Sequence, residues 1–178
     1  PGEAVPAGTD AWLIAPKFLV PTSAEMSGYW MTFDHWYHVD STANGEGDGV
    51  WVEYRIKNGS WTSWSWIAPD GGYPSTLSED GPDVNGAPSS GALPVFASPT
   101  SSGWVTSNVS LSSIPEIHNA DELQFRFRIW TSPDATDERP GWFLDNIEYN
   151  NDGIEYGVWH HGCIVTSGAC LYSGSAYG

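Results

Sequence analysis

Alternating large apolar and polar side chains mark most of this chain as strands. Leu123, Phe125, Phe127 and Ile129 share one side while Gln124, Arg126 and Arg128 take the other, the clearest inward face in the sequence. Val50, Val52, Tyr54 and Ile56 alternate against Trp51, Glu53, Arg55 and Lys57. The Asn58-Gly59 pair that follows is a strong hairpin signal and predicts a returning strand from Ser60 to Ile67. Tyr29 to Tyr37 carries large groups on both faces, as a central strand does. Ala11 to Ile14, stopped by Pro16, reads as an edge strand, because proline cannot donate a ladder hydrogen bond. Trp104 to Leu111 and Phe143 to Tyr149 complete the set, and no helical period intervenes. The expectation is an all-β antiparallel sandwich.

Two stretches break this rhythm. Ala68 to Leu93 is Gly, Pro, Ser and Asp with little apolar content, longer than an ordinary connection, and reads as an insertion loop with a candidate functional role. Ser132 to Pro140 is a second acidic loop. After Tyr149 the composition changes. Residues 1–150 are expected to form the domain and 151–178 a linker and Gly-rich tail, either a hairpin packed on the domain or the start of a further repeat. Cys163 and Cys170 in that tail predict a disulfide, since nothing else supplies the remaining ligands of a structural zinc site.

A length of 178 residues allows one main core, and 20 Gly, 13 Pro and 11 Trp suit short strands joined by turns. The net charge of -16, from 22 acidic against 6 basic residues, argues against nucleic acid or an anionic membrane as partner. No apolar run is long enough to span a bilayer, so no membrane insertion is expected. Pro1 opens the chain without a signal-like pattern, so that a secreted form is expected to have lost its signal already.

The segment Gly141-Trp-Phe-Leu-Asp-Asn-Ile-Glu-Tyr149 drops an acid and an amide into an otherwise apolar strand. Asp40 and Asp48 lie in the Gly-rich loop after the Tyr29 to Tyr37 strand, and few cations exist to neutralise them. Calcium takes six to eight oxygen ligands, which makes Asp40, Asp48 and Asp145 candidate metal ligands, with Asn44 or backbone oxygens completing the shell. The alternative is three solvated turn aspartates. Asp80, Asp83, Asn85, Asp134, Asp137 and Glu138 lack EF-hand spacing and are weaker candidates.

Ala11-Trp-Leu-Ile-Ala-Pro16, Met31-Thr-Phe-Asp-His-Trp-Tyr37, Asp48-Gly-Val-Trp-Val-Glu-Tyr54 and Gly141-Trp-Phe-Leu-Asp-Asn-Ile147, in this order, resemble MAM-like domains. These are accessory domains of immune inhibitor A type secreted metallopeptidases and of large microbial surface proteins. The resemblance spans roughly residues 8–150. It implies a non-catalytic jelly-roll sandwich of concanavalin-like or galactose-binding-like architecture, with calcium near the strand ends. Carried over to this chain, the acidic positions fall on Asp40, Asp48 and Asp145. The long Ala68 to Leu93 segment departs from the pattern.

Trp61, Trp64 and Trp66 are candidate binding residues, because exposed indoles stack on sugar rings or anchor protein partners. Unbroken alternation would send Trp61 to the opposite face from Trp64 and Trp66, and the competing reading is core and edge packing. The Trp61-x-x-Trp64 spacing is similar to thrombospondin repeats, but their cysteine framework is missing. His35 and His38, three apart in a strand, point to opposite faces and suit joint metal binding poorly. Glu53 and Glu148 are conceivable as the carboxyl pair of a jelly-roll glycosidase, without a surrounding motif to support it. Asn58-Gly-Ser60 and Asn108-Val-Ser110 match the N-glycosylation acceptor pattern.

The sequence therefore points to a calcium-stabilised adhesion or recognition module of a larger extracellular or cell-surface protein, joined to further domains and binding a protein or a glycan. Other readings are an accessory domain of a secreted metallopeptidase, a glycan-binding or glycan-active jelly roll, and a structural subunit of a surface layer or filament.

Overall fold

The chain is seen in a computed structural model that describes residues 4–20, 28–39, 47–77, 81–88, 92–97, 103–134, 139–151, 154–159 and 163–164, with side chains described as far as Tyr149. Its strands are β1 (Asp10–Ile14), β2 (Phe18–Leu19), β3 (Tyr29–His38), β4 (Gly49–Asn58), β5 (Ser60–Trp61), β6 (Ser65–Ile67), β7 (Ser75–Thr76), β8 (Pro94–Val95), β9 (Val105–Ser110), β10 (Glu122–Trp130), β11 (Gly141–Asn151), β12 (Ile154–Trp159) and β13 (Cys163–Ile164). A six-stranded antiparallel sheet runs β1-β10-β4-β5, with β2 also on β10 and β6 also on β4. A five-stranded one runs β12-β11-β3-β9, with β13 also on β11. Residues 154–159 and 163–164, expected in the tail after a linker, thus carry backbone that pairs with the closing strand.

Side-chain alternation sets which face of each sheet turns inward. Leu123, Phe125, Phe127 and Ile129 are fully buried and lie opposite Ile56, Tyr54, Val52 and Val50 of β4. Tyr29, Met31 and Phe33 of β3 are equally buried, while their neighbours in sequence are half-buried. The two inner faces interlock through aromatic rings. Phe127 meets Phe33 and Trp142 edge-on, at centroid distances of 5.2 and 5.6 Å, and Tyr149 lies 5.8 Å from Phe125 and 4.1 Å from Phe18. Each such pair contributes roughly 0.5–1.5 kcal/mol beyond its area burial. The architecture is a β-sandwich, and no helix among the described residues is long and apolar enough to cross a membrane.

Three local features depart from simple alternation. First, the predicted Ser60 to Ile67 strand is two short strands. Thr62 turns back on β4, its N–H donating to the Ile56 carbonyl at 2.9 Å and its hydroxyl accepting from the Ile56 N–H at 3.2 Å. Second, β11 bulges between Asp145 and Glu148. Asn146 occupies the extra position at φ 47°, a left-handed conformation that Asn tolerates better than most residues. Its insertion resets the phase, so that Trp142 and Leu144 before it and Ile147 and Tyr149 after it all face the core. Third, the described part of the Ala68 to Leu93 segment is bound into the fold. Tyr73 donates to the Ile67 carbonyl and accepts from the Val52 N–H, and Leu77 is buried. A Cβ on Gly49 would meet Val95 and Leu77 side chains at 2.9 and 3.1 Å, so the β7–β8 ribbon packs directly on the start of β4.

Candidate functional site

The outer face of the six-stranded sheet gathers most of the chain's few cations. Arg55, Lys57, Arg126 and Arg128 project from β4 and β10, and Lys17 joins them at the sheet edge through Glu122. Guanidinium and indole groups interleave there. Arg126 lies 5.2 Å from the Trp12 ring and 4.7 Å from Trp64; Arg55 lies 4.5 Å from both Trp64 and Trp61; Arg128 lies 5.2 Å from Trp51. Trp61 and Trp64 consequently share one face, contrary to the expectation of opposite faces, because the turn at Thr62 breaks the alternation. Trp66 is engaged elsewhere, its indole N–H donating to the Pro94 carbonyl at 3.1 Å and its ring tilted on Tyr73. The three predicted binding tryptophans are thus occupied by internal partners.

Glu53 sits beneath this ladder, 1 % exposed. Its carboxylate accepts from the Trp51 indole at 2.7 Å, from Arg126 Nε at 2.6 Å and from Arg128 Nη1 at 3.3 Å, with Arg126 Nη2 also in contact. A carboxylate so fully satisfied is a structural anion and a poor proton donor or nucleophile. Glu148 lies opposite Thr32 on the outer face of the other sheet. The two candidate glycosidase carboxylates therefore lie on opposite sides of the sandwich and cannot flank one glycosidic bond. Glu122 is held below the usual carboxylate range by hydrogen bonds from Lys17 and Lys57.

The proposed metal ligands have different surroundings. Asp48 is buried just before β4, where Oδ1 accepts the Ser132 N–H at 3.1 Å. Asp145 projects from mid-β11 on the outer face of the five-stranded sheet, and its Oδ1 caps the Asn146 N–H at 2.9 Å, holding the bulge. Asp40 lies outside the described residues. Among the described residues no group of three His, Cys, Asp or Glu side chains could hold a metal ion; Asp40 and residues 41–46, which the expected calcium shell also draws on, lie outside them. Of the disulfide candidates, Cys163 is described only as backbone in β13, and Cys170 lies outside the described residues.

The histidines divide as alternation requires, with His35 buried and His38 on the outer side. An indole N–H only donates, so the 3.2 Å bond from Trp142 Nε1 fixes His35 Nδ1 as an acceptor. His35 is then the neutral Nε2–H tautomer and donates to Ser107 Oγ at 2.9 Å. Burial lowers its pKa to about 4, against a smaller raising effect from Asp34.

The outer face of the five-stranded sheet combines aromatic and hydrogen-bonding groups. Trp30, Thr32, Asp34 and Trp36 of β3 stand beside Phe143, Asp145 and Glu148 of β11 and Thr106, Asn108 and Ser110 of β9. Trp36 and Phe143 meet edge-on at 5.2 Å. Asp34 and Asp145 face each other directly, a repulsive pairing that Asn146 Nδ2 relieves by donating to Asp34 Oδ2 at 2.8 Å and Thr106 by donating to Oδ1 at 2.5 Å. At one end of this face a cavity of about 210 Å³ opens between Gly28, Tyr29, Trp30, Asp70, Asn108 and Ser110.

Sequence reading did not single out Trp30, Trp36 or Asp70. The outward positions of β3 were visible in its two-faced alternation, whereas the arrival of Asp70 depends on a turn distant in sequence. No protein-family model matches the chain, and no curated protein matches it either.

Proposed function

We propose that this chain is a non-catalytic jelly-roll recognition module of MAM-like type, part of a larger secreted or surface protein, that binds a glycan across the outer face of its five-stranded sheet. The observation that carries this reading is the composition of that face. Trp30, Trp36 and Phe143 are half-buried there, offering flat apolar surface, and Thr32, Asp34, Asp145, Glu148, Thr106 and Asn108 offer donors and acceptors between them. Sugars present both kinds of surface, C–H faces for an aromatic ring and hydroxyls for polar groups. The opposite face is less suited, because its indoles already stack on guanidinium groups. Saturation of Glu53 and the placement of Glu53 and Glu148 on opposite sides favour binding over hydrolysis. The motifs quoted for the MAM-like resemblance support the surface-protein context.

The test is a glycan array probed with the fluorescently labelled protein and with Trp36→Ala. Retention on a defined set of glycans that falls at least tenfold in Trp36→Ala supports the reading. Retention on none, or retention indifferent to that substitution, overturns it.

A further inference from the structure

Asp70 reaches the cavity by bonding to β9 as a neighbouring strand would. β9 is the edge of the five-stranded sheet, and on its free side Asp70 N–H donates to the Asn108 carbonyl at 2.7 Å while Asp70 Oδ1 accepts the Ser110 N–H at 3.2 Å. The turn that delivers it is closed by the Gly72 N–H on the Pro69 carbonyl at 2.9 Å, with Gly71 at φ 85°, the left-handed value required at the third position of a type II turn. Three bonds thus fix the Asp70 backbone and one carboxylate oxygen. Among the described residues the second oxygen has no partner, and neither does the Asn108 side-chain amide. Ser110 lies in register beside Trp30, and Asn108 follows two residues along the same face of β9.

We propose that this cavity is a subsite for one pyranose ring, with Trp30 as the stacking surface and Asp70 and Asn108 holding two neighbouring hydroxyl groups. The proposal rests on the glycan reading above and gives it a location and a ligand size. The cavity volume of about 210 Å³ is below the roughly 300–1,000 Å³ of drug-sized sites, which suits a single ring. A carboxylate accepts from a hydroxyl, an amide can both accept and donate, and Ser110 adds a hydroxyl that does either. That mixture matches a polyol better than a cation, which asks for acceptors alone. Because Asp70 is already held in place, little side-chain freedom remains to be lost on binding.

The experiment is saturation-transfer NMR on the protein with the methyl glycosides of galactose, glucose, mannose and N-acetylglucosamine, repeated on Asn108→Ala, Asp70→Asn and Trp30→Ala. At least one glycoside is expected to bind the parent and to weaken tenfold or more in each variant. Asn108→Ala is the most informative of the three, since it removes an exposed amide with no side-chain partner among the described residues. Binding by none of the four, or binding unchanged in Asn108→Ala and Asp70→Asn, overturns the subsite. Capture of tetramethylammonium at this position, lost in Asp70→Asn and unaccompanied by any glycoside, overturns it in favour of a cation site. Array retention that depends on Trp36 but ignores Asn108→Ala and Asp70→Asn would leave the glycan reading standing while the subsite falls. Glycoside binding at the cavity with an array indifferent to Trp36 would do the reverse.

Discussion

Acidification should destabilise this protein through one buried imidazole. His35 is enclosed by Phe33, Phe96, Tyr37 and Trp142, and its Nδ1 lone pair accepts the Trp142 indole N–H. Protonation would add a charge to an apolar site and set two N–H groups against each other. The folded pKa of about 4 lies below the ordinary value of 6.5, so between those values the unfolded chain binds a proton that the folded chain refuses. Stability from this group is therefore complete above pH 6.5 and lost as pH falls toward 4, at up to about 1.4 kcal/mol per pH unit and about 3 kcal/mol in all. Urea unfolding measured across this range, compared with His35→Gln, isolates the effect. Glutamine offers an acceptor to Trp142 and a donor to Ser107 without titrating, and contributions from carboxylates cancel in the difference. Equal pH slopes in the two proteins between pH 6.5 and 4.5 would refute the reasoning.

Arg126→Ala leaves Glu53 buried with one cation fewer, and urea unfolding is expected to show a loss of about 3 kcal/mol, the scale for breaking a buried ion pair. Trp64 lies against two guanidinium groups and Trp61 against one, so Trp64→Ala should lower Tm more than Trp61→Ala, while glycan retention stays at the parent level in both. Asn146→Ala must hold a left-handed backbone against the clash of its Cβ and without an amide side chain, and should be about 1 kcal/mol less stable than Asn146→Gly in the same assay. Any difference in Tm between millimolar calcium and excess chelator should be the same in Asp145→Asn as in the parent, because Asp145 caps the bulge in mid-strand while Asp48 holds the Ser132 N–H before β4.

The strands were legible wherever burial follows a strict period of two. β10 is the plainest case, with four inward residues at alternate positions and every one fully buried. Legibility fails where an irregular residue resets the phase. Asn146 shifts the second half of β11 by one position, and the Leu-Asp-Asn triplet, singled out in the sequence for its acid, also builds a bulge: a carboxylate that caps and an amide that tolerates positive φ. Thr62 does the same to the Trp61, Trp64 and Trp66 series, where alternation predicted a split and the backbone turn brings two indoles onto one arginine. Composition was an incomplete guide to the Ala68 to Leu93 segment. Few apolar residues marked an insertion loop but gave no sign of its attachment: Tyr73 and Leu77 anchor its described part, and Asp70 gains its position through hydrogen bonds to a strand almost forty residues away. Periodicity carries no information about such contacts.

The location of the basic residues gives the molecule a direction. Five of its six lysines and arginines stand on or beside the outer face of the six-stranded sheet, within a chain whose net charge is -16. Among the described residues the less negative pole of the sandwich is therefore the Trp–Arg ladder, since Asp34, Asp70 and Asp145 stand on the other side without a lysine or arginine beside them. Near an anionic envelope at low ionic strength, that pole turns toward the surface and the five-stranded sheet turns away from it. Tethered to such an envelope, the domain would hold its aromatic and polar face toward the medium, and added salt would loosen the alignment without altering the fold.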